Sequence, residues 1–206
     1  MIYVGTDWQE LAAQAQPFIE AAARDGVQVA AEDLGDVSQE TVAAAEDEAV
    51  QYAADRAAEL VGMRNVGGVF VPNPDARWAI TETTRDRLSA LIEQAVREGW
   101  SSQGLAKAIR DDLAFSGYRA SMIARTEIRM ANTAGTLATW RKSGVVAGKK
   151  VVLDPLHDID DECDMNAAEG VVALDKDFSS GDDGPPFHPH CKCALIAVLK
   201  EQYAKS

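Results

Sequence analysis

The residues best suited to chemistry lie near the C-terminus of a chain that is poor in sulfur and imidazole elsewhere. Two of the three cysteines and two of the three histidines fall within residues 185–193, PPFHPHCKC. The third cysteine, Cys163, follows the acidic residues Asp160, Asp161 and Glu162. Thiol and imidazole groups concentrated in this way are typical of a metal site or a disulfide that closes a loop.

A structural zinc site is the first prediction for these residues. Thiolate and imidazole are soft ligands that bind zinc with tetrahedral geometry and without redox chemistry. Three sulfurs and one nitrogen are offered by Cys163, His188, Cys191 and Cys193. The local spacings are H-x-x-C and C-x-C, and His190 is a spare ligand. Asn166 stands three residues after Cys163, where a second C-x-x-C knuckle would need a cysteine.

The sequence alone leaves two alternatives to zinc open. A disulfide from Cys163 to Cys191 or Cys193 would leave one thiol free, whereas a bond between Cys191 and Cys193 would be strained. The other alternative is a set of reduced, buried thiols beside a hydrogen-bonded histidine. A structural role is favoured in each case, because no orienting partner for a catalytic thiolate is evident nearby. The acidic run over 154–164 fits a solvated loop better than a calcium loop.

The sequence predicts an α+β fold for the helices and strands that position these residues, with mainly helices first and a small C-terminal sheet. Residues 1–62 form an acidic, alanine-rich helical arm with a break over 25–36. Residues 63–80 form a connector with a short strand at 69–71. The rest, 81–206, forms one domain, with helices within 82–144 and a sheet within 149–200 that carries the Cys/His cross-linked loop. Its predicted helices cover 82–97, 101–113 and 117–142, the last capped by Ser116, and its strands cover 150–153, 171–174 and 194–198.

Charge is unevenly distributed along the chain, whose net charge is −13. Residues 1–62 carry 2 basic and 13 acidic side chains, and residues 152–206 carry 4 and 12, whereas residues 63–151 carry 14 and 8. This pattern argues against wholesale coating of DNA, but a local basic surface remains for DNA or an acidic partner. The candidate contacts are Arg119, Arg125, Arg129, Arg141 and Lys142. An inward Arg125–Glu127 pair that locks the helix is the competing interpretation.

The segment 82–198 resembles the Mu F-like minor head proteins, which are phage head morphogenesis proteins. The resemblance rests on GWS at 99–101, RASMIARTE at 119–127, SGV at 143–145 with KKVVL at 149–153, Asp160 and Cys163, GVV at 170–172, and PPFHPHCKC at 185–193. Members often carry a cysteine at the position of Asn166, and usually an asparagine at that of His190. The acidic arm 1–62 lies outside the resemblance.

The resemblance implies a minor head protein of a tailed phage that acts in procapsid assembly at the portal vertex or in the head interior. For some members it also implies a part in DNA packaging or ejection. The implied partners are the portal protein, capsid or scaffold proteins, and phage DNA. The implied location is the host cytoplasm during assembly and then the virion head. No membrane partner and no enzymatic activity are expected.

Two alternative functions belong to other classes. One is a DNA-binding accessory factor. The other is a toxin or ADP-ribosyltransferase-like enzyme, because Mu F-like domains also occur joined to such modules and Arg125-Thr126-Glu127 resembles an Arg-Ser-Glu motif. The chain has no convincing downstream Glu-x-Glu for that chemistry. The N-terminus has no basic region followed by an apolar run, and no long uncharged apolar window occurs, so cytoplasmic synthesis is expected.

Overall fold

The computed structural model of the chain describes residues 8–67, 69–101, 104, 107–108, 111–112, 117–157 and 161–201. Long helices come first, and a small antiparallel sheet follows near the C-terminus. The predicted α+β class is therefore confirmed. Among the described residues, no helix is both long enough and apolar enough to span a bilayer.

Two long helices open the described part of the chain. Helix α1 spans Trp8–Leu34 and helix α2 spans Gln39–Leu60, as the helical spacing of apolar residues predicted. The break is shorter than the predicted 25–36, because α1 continues to Leu34. The turn begins at Gly35, whose φ of 82° lies in the left-handed region that favours glycine.

Gly26 was included in the predicted break but instead allows two helices to approach each other. A Cβ at Gly26 would lie 2.1 Å from the carbonyl oxygen of Asn132 in helix α4, which spans Gly117–Ser143. A Cβ at Gly135 of α4 would lie 1.9 Å from the carbonyl oxygen of Ala23. These glycines are therefore required by backbone contact between α1 and α4.

A two-stranded hairpin follows α2. Strand β1 spans Met63–Val66 and strand β2 spans Val69–Pro72, and the two pair in antiparallel register. The predicted strand at 69–71 is confirmed, whereas its partner β1 was not predicted. Helix α3 then spans Ile80–Glu98 and ends at Gly99, which has a left-handed conformation.

The buried side of two helices is defined by a few apolar residues. Helix α3 buries Leu91 and Ala95, whereas Val96 is 78% exposed. Helix α4 agrees with the predicted third helix, and its Leu137 and Ala138 are buried. Most of the predicted second helix, 101–113, lies outside the described residues, and so does Ser116, the predicted cap of the third helix.

Three strands form the C-terminal sheet in the order β4-β3-β5, and all pairs are antiparallel. Strand β3 spans Val146–Val152, β4 spans Val172–Ala173 and β5 spans Ala194–Leu199. The three predicted strands are thus present, although β3 begins earlier than expected. A short helix, α5, spans Glu162–Ala168 between β3 and β4 and was not predicted.

Two buried clusters support this sheet. One, the cysteine-bearing core, contains Val151, Cys163, Phe178, Phe187, Cys191 and Cys193. The other contains Ala30, Leu137, Trp140 and Val146. The cysteines therefore lie in an apolar core beneath the sheet rather than at the surface.

The described contacts divide the chain into two compact units. One unit consists of Met1–Pro17 with Ala54–Ala124, and the other of Phe18–Ala53 with Arg125–Ser206. All three cysteines and the C-terminal sheet belong to the second unit. The division of the chain at residues 62 and 80, inferred from the sequence, stays a prediction.

Candidate metal centre

Cys163 is fixed by the N-terminal cap of α5. The carboxylate of Asp161 accepts a hydrogen bond from the Cys163 N–H at 2.7 Å. In return, the carboxylate of Asp164 accepts one from the Asp161 N–H, which completes a capping box. Cys163 is fully buried, so its thiol has a fixed position in the core.

The loop 185–193 that carries the other two cysteines is held against α4. Thr133 Oγ1 donates a hydrogen bond to the carbonyl oxygen of Pro185 at 2.6 Å. The guanidinium of Arg129 donates to the carbonyl oxygen of Cys191 at 2.8 Å. These two contacts join residues far apart in sequence, and they set the position of the loop relative to α4.

The three cysteine sulfurs lie together. The Sγ atoms of Cys163, Cys191 and Cys193 are all within 4.8 Å of one another, and all three residues are buried. Cys163 Sγ and Cys191 Sγ are 3.5 Å apart, which exceeds a disulfide bond length of about 2.05 Å. All three are free thiols in this structure.

His188 approaches the sulfurs from one side only. Its Nε2 lies 3.3 Å from Cys163 Sγ and 3.4 Å from Asp161 Oδ2, while its Nδ1 lies 3.0 Å from the carbonyl oxygen of Pro189. Asp161, Cys163 and His188 form a second group within 4.8 Å. Cys163 belongs to both groups, so it links His188 to the other cysteines. The four predicted ligands do not form one group, and His190 belongs to neither.

These separations are compatible with metal coordination. Zinc bonds of about 2.3 Å to sulfur and about 2.05 Å to nitrogen place tetrahedral ligand atoms about 3.5–3.8 Å apart. The 3.5 Å between two sulfurs and the 3.3 Å between Cys163 Sγ and His188 Nε2 are near that range. Three buried cysteines this close together can hold a metal ion.

Electrostatics favour protonated thiols unless a cation binds. Burial raises the pKa of the Cys163 thiol, and hydrogen bonds with Cys191 and Cys193 raise it further. Burial also raises the pKa of Cys193, although a hydrogen bond with the backbone of Asp154 opposes that shift. A divalent cation would reverse this balance by stabilising the thiolates, and proton release would accompany its binding.

Residues 86–196 match the family model described as Phage Mu protein F like protein. The match covers more than half of the chain, including most of α3, all of α4 and the three cysteines. The chain belongs to this family. Membership associates the Mu F-like chain with phage head morphogenesis and the virion head. Neither the curated proteins nor the solved structures contain a match to it.

In this Mu F-like chain, Asn166 is a structural residue. It is fully buried, and its amide nitrogen donates to Ser180 Oγ at 2.9 Å while its amide oxygen accepts from the Ser180 N–H at 3.3 Å. The side chain therefore ties α5 to the loop that follows Phe178. Both hydrogen-bonding groups of the amide are engaged away from the sulfurs.

Three of the basic residues predicted to bind a partner or DNA contact the chain itself. Arg129 donates to the Cys191 carbonyl, as described above. Arg141 forms an ion pair with Asp183, and Lys142 Nζ lies 2.9 Å from a carboxylate oxygen of Glu48. These cations on α4 thus contribute to intramolecular contacts.

The remaining predicted contacts differ in exposure. Arg125 is exposed and forms no hydrogen bond or ion pair with another described residue, whereas Arg119 is partly buried. Glu127 is 7% exposed. Residues two apart on a helix do not share a face, which explains why Arg125 points outward and Glu127 inward. The described contacts of the Mu F-like chain accordingly include no Arg125–Glu127 lock.

Sequence reasoning missed several residues that shape the centre. Thr126 Oγ1 accepts a hydrogen bond from the His190 N–H at 3.3 Å. Lys149 is fully buried in β3, where it pairs with Asp183 and lies 5.4 Å from the ring of Phe178. No local sequence pattern indicated these contacts. In the sequence, Asp161 stood out only as part of an acidic run. Aspartate is a common residue at the N-terminal cap of a helix, and this was the available signal for the start of α5.

Proposed function

We propose that this chain is a minor head protein of a tailed phage, acting in procapsid assembly at the portal vertex or in the head interior. The observation that carries the proposal is the family match over 86–196, which includes the whole cysteine-bearing core. The proposed partners are the portal protein and capsid or scaffold proteins. A contribution to DNA packaging or ejection belongs to the same proposal.

Arg125 is the proposed contact for an acidic partner surface. It is exposed on α4 and has no intramolecular partner among the described residues, whereas Arg129, Arg141 and Lys142 are engaged within the chain. A free guanidinium can form a bidentate pair with a carboxylate. A partner can therefore bind Arg125 without breaking a contact between described residues of the chain.

Native mass spectrometry of the full chain mixed with its cognate portal protein tests this proposal. We expect a defined complex that Arg125→Glu weakens and that Lys176→Glu, a matched change at another exposed cation, leaves intact. Recovery of the chain with purified procapsids is the second measurement. Absence of the chain from both portal complexes and procapsids would contradict the proposal.

Two other functions are less well supported. A DNA-binding factor needs several free cations against phosphate, but three of the five candidates are engaged within the chain. We expect no salt-dependent retention of duplex DNA. For the enzyme alternative, the burial of Glu127 is unfavourable. We expect no ADP-ribosyl transfer from NAD to a test protein, and activity lost on Glu127→Ala would revive that alternative.

We further propose that Cys163, Cys191 and Cys193 hold a structural zinc ion with His188 as the fourth ligand. His188 and Asp161 compete for that position, since both belong to the second group around Cys163. A hydrogen bond from Nδ1 to the Pro189 carbonyl leaves the His188 Nε2 lone pair directed toward Cys163. Asp161 is already engaged as the cap of α5.

Metal content separates these two ligands. We expect one zinc ion per chain in the native protein and in His190→Ala, and weaker zinc retention against a chelator in His188→Ala. Asp161→Asn should retain the metal, because the amide oxygen still caps the helix. Metal-free native protein, or metal lost in Asp161→Asn but kept in His188→Ala, would contradict the assignment.

A further inference from the structure

The strand β5 forms an open edge of the C-terminal sheet, because the described order is β4-β3-β5. Its six residues read ALIAVL and include no charged residue, proline or glycine. Natural edge strands are usually protected by charged residues or proline, which prevent another chain from pairing with them. The lack of this protection in β5 makes its edge a template for a further strand.

The backbone groups available at this edge follow from the pairing with β3. The Lys200 N–H donates to the carbonyl oxygen of Val145 at 2.9 Å and so points toward β3. Alternate residues in a strand present their backbone groups to the same side, and the register shift in this pairing places its extra residue, Ala147, in β3 and not in β5. Leu195, Ala197 and Leu199 therefore present theirs to the opposite, open side. Within the described residues, no strand pairs on that side.

The surroundings of the edge are apolar and carry three lysines and one acidic residue, Glu201. Ile196 is 47% exposed and lies opposite Lys150 on the same face of the sheet. Lys192 and Lys200 flank the strand at its two ends. Lys150 and Lys192 are exposed and have no ion-pair partner in the described part of the chain. This cationic seam contrasts with a chain of net charge −13.

A groove of about 280 Å³ adjoins the start of the strand. It is lined by α4, by the Pro185-Pro186 turn and by the residues that lead into β5. Asn132 lines this groove, and its buried Oδ1 has no hydrogen-bond partner among the described residues. The groove is large enough for one side chain of a bound segment.

We propose that β5 binds an extended segment of a partner protein by strand addition, and that this segment has alternating apolar residues with carboxylates at its ends. The open backbone groups supply the pairing, and the lysines select the charge. Pairing with a second copy is disfavoured, because Lys192 and Lys200 from each copy would bring four lysines to one seam.

Amide hydrogen exchange and titration of the full chain test the proposal with two synthetic ten-residue peptides. Both contain six alternating valines and threonines. The probe has two acidic residues at each end, and the control has lysines there instead. We expect the acidic probe to protect the amides of Leu195, Ala197 and Leu199 and to bind about tenfold more tightly than the control.

Two protein variants distinguish strand addition from adhesion to the surface. Ala197→Pro removes an N–H from the open side, where an edge strand tolerates proline, and should reduce probe binding about tenfold without a loss of folded structure. The double variant Lys150→Glu/Lys192→Glu alters side chains without ion-pair partners among the described residues. It should reverse the preference between the two peptides, and this readout remains if the proline variant fails to fold.

Three outcomes would overturn the proposal: no binding of either peptide, equal binding of both, or protection of the edge amides without peptide alongside a concentration-dependent doubling of mass. The last result would identify a second copy as the occupant. Because no portal protein is used, failure here is distinguishable from failure of the proposed role in the phage head.

Discussion

The contact between α1 and α4 and the cysteine-bearing core are two neighbouring parts of the same compact unit, yet they are built on opposite principles. The helix contact depends on the absence of side-chain volume. Ala23 and Val27 of α1 are fully buried, and Gly26 and Gly135 bring the two backbones into contact. The contact requires small residues at the positions where the two helices meet, because any larger side chain would separate the backbones.

The cysteine-bearing core depends instead on particular side chains. Phe178 and Phe187 pack edge to face with ring centroids 5.7 Å apart, and both are buried beside the cysteines. Little of this region is regular secondary structure, so individual hydrogen bonds from α4 and α5 hold its loops. The comparison predicts that added volume damages the helix contact, whereas removed side chains damage the cysteine-bearing core.

Removal of Phe187 should give the largest effect. The side chain is fully buried and contacts Phe178, so Phe187→Ala loses apolar burial and leaves a cavity. We expect a loss of about 4 kcal/mol in the free energy of unfolding. Chemical denaturation measures it. The matched control is Phe18→Ala, because Phe18 is 74% exposed and its removal should change stability by less than about 0.5 kcal/mol.

Addition of one methyl group at Gly135 should give the next largest effect. The new Cβ would lie 1.9 Å from the carbonyl oxygen of Ala23, and backbone atoms cannot move aside cheaply. We expect Gly135→Ala to cost about 3 kcal/mol in unfolding free energy despite its better helix propensity. Gly104→Ala is the control, since its nearest contact would be an ordinary 3.4 Å. Equal stability of both variants would contradict the close approach of α1 and α4.

The sequence was sufficient for features that repeat. Helical spacing of apolar residues predicted α2, α3 and α4, and short apolar runs between turn residues predicted β3, β4 and β5. The same reasoning misread Gly26, because a glycine within a helical pattern signals either a break or a close approach. Only the position of α4 distinguishes the two, and no local pattern contains that position.

For the candidate metal centre, the residue types in the sequence predicted which residues belong together, but the sequence did not predict how the fold places them. Thiols and imidazole identified Cys163, Cys191 and Cys193 as a set, which the structure brings together. The contacts that place them are not periodic: Arg129 reaches the Cys191 carbonyl across 62 residues of sequence. Placement of His188 beside Cys163 rather than among all three sulfurs follows from these tertiary contacts, so it was not predictable from spacing.

Asn166 tests whether single hydrogen bonds hold the cysteine-bearing core. Asn166→Ala leaves the Ser180 N–H without its acceptor and also removes the bond to Ser180 Oγ. We expect a loss of about 1–2 kcal/mol in unfolding free energy. Asn73→Ala serves as the control, because the Asn73 side chain makes one hydrogen bond to the described residues, an exposed one that it accepts from the Asp75 N–H. If the two variants are equally stable, loop packing rather than hydrogen bonding holds this region.

The smallest expected effect is a pH dependence at the exposed end of α5. The Ser179 hydroxyl, and then its backbone N–H, hold the pKa of Glu169 below its ordinary value of 4.5 by donating to the carboxylate. A lowered pKa in the folded state stabilises the fold above about pH 4.5, and this contribution is lost as the pH falls through the lower folded value. Glu169→Gln should therefore be less stable than the native chain at pH 6, and the difference should shrink toward pH 3. A stability difference that stays constant over that pH range would mean that Glu169 acts through packing and not through its charge. In that case, even the surface of the cysteine-bearing core would depend on the shape of its side chains.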